Sequence, residues 1–160
     1  MRAVILVLGL GNDLVGDDAL GPMAVRRLAQ TLPHPAVRYE STAESGLRLL
    51  DHIAGFQYLL VMDVLQDPRR PAGTLLEYSL EDLPASATAM SLHAMGLAEV
   101  LATGKALGLT MPREGRVLAV VARNLQTLGA PLSPEVAQTL PRLVRRAQEV
   151  LETWLKSVSF

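Results

Sequence analysis

Four side chains in this sequence stand where chemistry could be done: Asp17, Asp18, Asp63 and His93. The first two belong to Gly9-Leu10-Gly11-Asn12-Asp13-Leu14-Val15-Gly16-Asp17-Asp18-Ala19-Leu20-Gly21. There an apolar run breaks into glycines, then adjacent carboxylates, then a helical pattern. One acid at a helix start can cap it and complement its dipole. A cap needs only one, so the second is unexplained. Asp63 stands near the end of Tyr58-Leu59-Leu60-Val61-Met62-Asp63-Val64. An ionised carboxylate in such surroundings is costly unless it is hydrogen-bonded, paired or bound to a cation. The bland alternative is that Asp63 accepts backbone N–H bonds from the next loop. His93 lies in Met90-Ser91-Leu92-His93-Ala94-Met95-Gly96, at an expected helix start with Ser91 as candidate cap. A lone histidine there is more often structural than functional. His34, between prolines, and His52, on a polar helix face, read as bland.

The elements that must position these residues are legible as runs and periodicities. Ala3–Leu8 and Tyr58–Val64 are continuous apolar runs, expected for strands covered on both faces. Val37–Ser41, Thr74–Tyr78 and Arg116–Ala122 read as further strands, with Thr74–Tyr78 at a sheet edge because Glu77 and Tyr78 make it less apolar. Leu20, Ala24, Leu28 and Leu32 mark a helix over Ala19–Leu32, with Pro22 tolerated in its first turn. Ser45–Ile53 reads as a helix with Leu47, Leu50 and Ile53 inward. Another begins near Ser91–His93 and runs to Gly104 or Gly108. Ser133-Pro134-Glu135 starts the last helix, a cap followed by proline, and Pro141 is expected to kink or interrupt it. This alternation predicts an α/β fold: residues 1–160 as a single-domain three-layer sandwich, with a mostly parallel, twisted five-stranded sheet and helices on both faces.

Composition narrows the function classes. The chain is 49% hydrophobic but only 4% aromatic, so its core must be aliphatic. The absence of cysteine excludes disulfides, thiolate nucleophiles and Cys-built zinc sites. A formal net charge of -1 gives no steering toward nucleic acid or an anionic membrane, and neither partner is expected. The N-terminal apolar run is too short for a signal peptide and ends in Gly-Leu-Gly-Asn, so a soluble cytoplasmic protein is expected. No nucleotide cofactor is expected either. In a dinucleotide fingerprint the third glycine would fall at position 14, which holds Leu14, and two carboxylates occupy the helix start where a phosphate would need bare N–H groups.

In a doubly wound sheet the ends of the first and third strands converge on one rim, and a later helix can start there. Asp18, Asp63 and His93 could then meet. Two carboxylates and an imidazole suit a borderline first-row cation such as Ni²⁺ or Zn²⁺, and three protein ligands leave a coordination position open.

The glycine-asparagine loop with its acidic pair, the strand ending in Asp63, and Ser91-Leu92-His93-Ala94-Met95-Gly96-Leu97 together resemble the hydrogenase maturation proteases. The resemblance runs over nearly the whole chain. It implies an endopeptidase that removes the C-terminal extension of a nickel-loaded hydrogenase large-subunit precursor, acting as a monomer. Asp18, Asp63 and His93 would contact nickel supplied by the substrate. Where the family often has glutamate this chain has Asp18, and where many members have a Gly-Gly-Thr turn it reads Glu40-Ser41-Thr42-Ala43-Glu44-Ser45-Gly46. Two other functions compete. One is a non-catalytic nickel checkpoint using the same cleft. The other is a peptidyl-tRNA hydrolase-like enzyme, since Gly9-Leu10-Gly11-Asn12 also opens that family, although an acidic pair would oppose an RNA backbone.

Overall fold

The computed structural model describes residues 2–83, 93 and 96–158. Its centre is a five-stranded sheet built from β1 (Ile5–Leu10), β2 (Val37–Thr42), β3 (Tyr58–Leu65), β4 (Leu75–Ser79) and β5 (Glu114–Val121), in the order β2-β1-β3-β5-β4. All neighbours are parallel except β4, which runs antiparallel to β5 at one edge. The edge position expected for the Thr74–Tyr78 segment holds. Every residue of β1 and β3 is buried, as continuous apolar runs require. Burying each large aliphatic side chain there contributes about 1.5–3 kcal/mol relative to exposure.

Two apolar layers flank the sheet. On one face, α1 (Leu20–Thr31) and the long α4 (Pro134–Ser157) pack over Ile5, Val7, Leu60, Met62 and Val120. On the other, α2 (Leu50–Ile53) and α3 (Leu97–Ala106) cover Leu6, Leu8, Leu59, Val61 and Val117. Strand alternation therefore assigns Asp63 to the second face, with Leu59 and Val61.

Four local expectations are corrected. The segment read as a helix over Ser45–Ile53 opens with a 3-10 turn, Gly46–Leu49, and Leu47 is exposed rather than inward. The helix expected from Ser91–His93 begins at Leu97, because Gly96 has φ +80° and His93 lies in a turn. The candidate cap Ser91 lies outside the described residues. Pro141 does not interrupt α4, which runs unbroken to Ser157. Ser133 precedes α4 but makes no side-chain cap, for a reason that lies in the site.

Candidate functional site at the carboxyl edge of the sheet

From β1 the chain continues to β2 on one side, while β3 lies on the other, so the order reverses between β1 and β3. Open α/β sheets bind ligands outside the strand ends at such a reversal. The pairing of β1 with β3 ends at Gly9 and Met62, which leaves Asp63 at the point where β1 turns away. The loop that turns is tightly specified. Gly11 has φ +145°, and a Cβ there would lie 1.9 Å from the Asp18 carbonyl oxygen. A Cβ on Gly21 would come within 2.4 Å of the Leu10 carbonyl oxygen and 2.7 Å of that of Met62. These glycines let α1 start directly against the ends of β1 and β3, which draws Asp18 back over the strand.

The two neighbouring acids have different surroundings. Neither caps its own helix. Asp17 is fully buried and reaches across the molecule. Its Oδ2 accepts the backbone N–H groups of Arg123 and Asn124 at 2.8 and 2.9 Å and the Ser133 hydroxyl at 2.9 Å. Its Oδ1 accepts the Ser133 N–H at 2.7 Å. The Ser133 hydroxyl is thus spent on Asp17 and does not cap α4. Asp17 ties the β1–α1 loop to the β5–α4 loop, a role the sequence hinted at only by having one acid too many for a cap.

Asp18 turns the other way. Its Oδ2 accepts the Asn12 N–H at 2.9 Å and lies 3.0 Å from His93 Nε2, with Oδ1 at 3.2 Å. Asn12 is itself fixed, its side-chain oxygen accepting the Leu14 N–H at 2.9 Å. Residues 75 positions apart in sequence therefore meet in a largely buried contact. The hydrogen bond to Asp18 raises the pKa of His93 above the ordinary histidine value. Burial opposes this, while the charges of Asp63 and Asp18 and a hydrogen bond to the Ala43 backbone reinforce it. The Asp63 carboxylate accepts the N–H of Val64, its neighbour in β3, at 2.7 Å.

The structure thus brings Asp18 and His93 into contact, with Asp63 near enough for its charge to act on the imidazole. Among the described residues, no three His, Cys, Asp or Glu side chains are gathered to hold a metal ion unaided. Two partners escaped sequence reasoning. Asn12 fixes Asp18 through its backbone, and Ala43 joins the Glu40–Gly46 loop to His93. Backbone donors and acceptors leave no residue-type signal. The other histidines have different partners. His34 Nδ1 accepts the Ala36 N–H at 3.0 Å, while His52 lies 3.3 Å from Glu40 and 3.6 Å from Glu44. A cavity of about 240 Å³ lies beside the starts of β1 and β3, where Arg2, Arg38, His52 and Phe56 are among its lining residues; it contains none of the three candidate residues.

Comparison with known proteins converges on one family. A family model described as hydrogenase maturation protease (HycI) matches residues 42–150, a span that includes Asp63 and His93 and begins after Asp18. The chain is 33% identical over 153 residues to the hydrogenase expression/formation protein HupD of Rhodobacter capsulatus, covering 94% of this chain and 72% of that protein. It is 30% identical over 156 residues to the hydrogenase 2 maturation protease of Escherichia coli (strain K12), covering 92% and 94%. The fold matches the hydrogenase maturating endopeptidase HybD from E. coli with a TM-score of 0.77 at 29% identity, over 96% of this chain and 93% of that one. It also matches the hydrogenase maturation protease HybD from Thermococcus kodakarensis, with a TM-score of 0.69 at 28% identity over 94% and 99%. These matches set aside the peptidyl-tRNA hydrolase alternative. The chain belongs to the hydrogenase maturation protease family, and it is a peptidase.

Proposed function

We propose that this chain removes the C-terminal extension of a nickel-loaded nickel-iron hydrogenase large-subunit precursor, and that Asp18, Asp63 and His93 contact the nickel the precursor carries. The observation that carries this reading is the Asp18–His93 contact at the carboxyl edge of the sheet, with the Asp63 charge acting on the same ring. Carboxylate oxygens and an imidazole nitrogen suit a borderline first-row cation. A metal presented at this edge exchanges for the contact the two side chains now make with each other. That exchange strips no hydrogen bond from the Asp17 brace, so binding leaves the frame intact.

Nickel bound by the precursor supplies Lewis-acid polarisation of a nearby carbonyl or an activated water. Hydrolysis then adds a hydroxyl to the scissile carbonyl carbon and a proton to the departing amine. An incomplete ligand set in the free enzyme makes cleavage conditional on a loaded substrate, because only the substrate brings the ion and its remaining ligands.

The test is to incubate the protein with nickel-loaded and nickel-free precursor and follow the precursor by intact mass. Loss of the C-terminal extension from the loaded form alone is expected. Binding of loaded precursor with no loss of mass would instead favour the non-catalytic checkpoint. Tight nickel binding by the isolated protein would contradict a metal borne by the substrate.

A further inference from the structure

His93 is not carried on a helix or strand. It lies in a turn ahead of α3, and its ring meets Asp18 and the backbone of Ala43. Where Ala43 stands therefore bears directly on the imidazole. Ala43 belongs to the segment that follows β2, and no residue from Ser41 to Arg48 is buried. Apolar packing does not fix this segment, so its order rests on polar ties.

Three consecutive residues supply such ties. The Thr42 carbonyl accepts the Gly11 N–H at 3.0 Å, which joins the segment to the glycine turn leading to Asp18. Ala43 meets His93. Glu44 donates its N–H to the Thr42 hydroxyl at 3.1 Å, and its Oε1 lies 3.6 Å from His52 Nε2. The other ring nitrogen of His52, Nδ1, lies 3.3 Å from Glu40 Oε2, while Arg38 lies 3.9 Å from Glu40 Oε1. One imidazole thus spans the two carboxylates that bracket Ala43 in sequence. His52 has a firm base for this, because Leu49 and its neighbour Ile53 are fully buried beneath α2.

We propose that His52 is a positioning residue for His93, fixing through Glu40 and Glu44 the segment whose Ala43 backbone orients the imidazole. This deepens the proposed function and rests on it for the reaction in which His93 acts. Partners that orient a metal-contacting histidine are worth about 10–100-fold in affinity or activity. His52 acts one step further out, through partly exposed pairs that water weakens, so its effect is smaller.

The experiment follows His93 in the free protein and the reaction separately. The chain has 3 histidines, so the His93 ring is assigned in NMR spectra as the imidazole missing from His93→Gln. His52→Ala is expected to shift the His93 ring signals at fixed pH. It should also lower kcat on nickel-loaded precursor about fivefold, with melting temperature retained. His52→Gln, which keeps N–H donors for the carboxylates, should recover most of both. Glu44→Ala should resemble His52→Ala, and the double variant should lose no more than either alone, because both act through one contact. His34→Ala is the control; His34 serves the Ala36 N–H, and this variant should keep wild-type His93 signals and kcat.

Unmoved His93 signals in His52→Ala overturn the proposal even if kcat falls, since His52 then acts by another route. Shifted signals with unchanged kcat overturn it too. Should His52→Ala fail to fold, Glu44→Ala decides by the same two readouts. If the wild type leaves loaded precursor uncut, the peptidase reading of the site fails. The His93 signals of the free protein then decide the positioning alone, shifted supporting it and unmoved overturning it.

Discussion

Asp17 and Asp18 are adjacent, equally charged and both buried, yet they serve two regions that work in opposite ways. The Asp17 region is closed. Its carboxylate accepts three backbone N–H groups and a hydroxyl from the segment between β5 and α4, and the satisfied network can only hold. The Asp18 region is, on the proposed function, exchangeable. Its carboxylate accepts one backbone N–H and otherwise faces an imidazole carried on a separate segment. A backbone donor cannot be replaced without breaking the chain's own structure, but a side-chain partner can give way to a cation. The difference teaches that residue type alone does not decide between brace and site. The origin of the hydrogen-bonding partners decides it.

The largest expected effect is on activity. Asp18→Asn, Asp63→Asn and His93→Ala should each lower processing by about 10²–10⁴-fold, the range for removing a group that acts at the reacting centre. Their melting temperatures should stay near wild type. An unfolded Asp18 variant would erase the distinction between the two regions. Asp17→Asn should do the converse, because an amide brings a donor toward a cluster of donors. We expect a loss of about 2–4 kcal/mol in stability. That corresponds to a melting temperature lowered by about 5–15 °C for a chain of this size. Processing at a temperature where the variant is folded should stay within about tenfold of wild type, and a loss matching that of Asp18→Asn would mean the brace has been misread.

Gly21→Ala sharpens the comparison from the backbone side. The added methyl would meet the carbonyl oxygens of Leu10 and Met62, which cannot swing away as a side chain would. A destabilisation of about 1–3 kcal/mol is expected in chemical denaturation, together with weakened processing, since the same approach positions Asp18. The smallest effect lies outside both regions. Hydrogen bonds from Arg69, joined by Arg70, hold the Asp67 carboxyl at a pKa of about 2, below its ordinary 3.8. A carboxylate depressed on folding adds stability that is fully present above its unfolded pKa and is lost as pH falls through the folded one. Between pH 4 and 2 the wild type should therefore lose stability more steeply than Asp67→Asn, as acid titrations followed by circular dichroism would reveal. Parallel acid limbs would contradict this assignment.

How much of this was legible in the sequence depended on distance along the chain. Tyr58–Leu65 announced itself because a strand buried on both faces must be apolar throughout, and the one exception, Asp63, stood out for the same reason. The pairing of Asp18 with His93 was not readable from spacing, since nothing local links positions 75 apart; the convergence of strand ends and a helix start on one rim of a doubly wound sheet suggested it, and the family resemblance added weight. Asp17's role was hidden more completely. Its partners lie 106 to 116 residues away, and most are backbone groups that every residue type possesses. The expected start of α3 falls too early because Ser91 offers a candidate cap ahead of His93, whereas the left-handed backbone at Gly96 precedes the helix. Leu47 fits a core position in the sequence for a related reason. Its spacing fits a regular helix, but the segment opens as a 3-10 turn, whose tighter winding turns that side chain outward.

The most direct test of the exchangeable contact compares wild type with Asp18→Asn on nickel-loaded precursor, using intact mass to time the loss of the C-terminal extension. The account predicts cleavage by the wild type and none on the same timescale by a fully folded Asp18→Asn. Cleavage by that variant at the wild-type rate would contradict it.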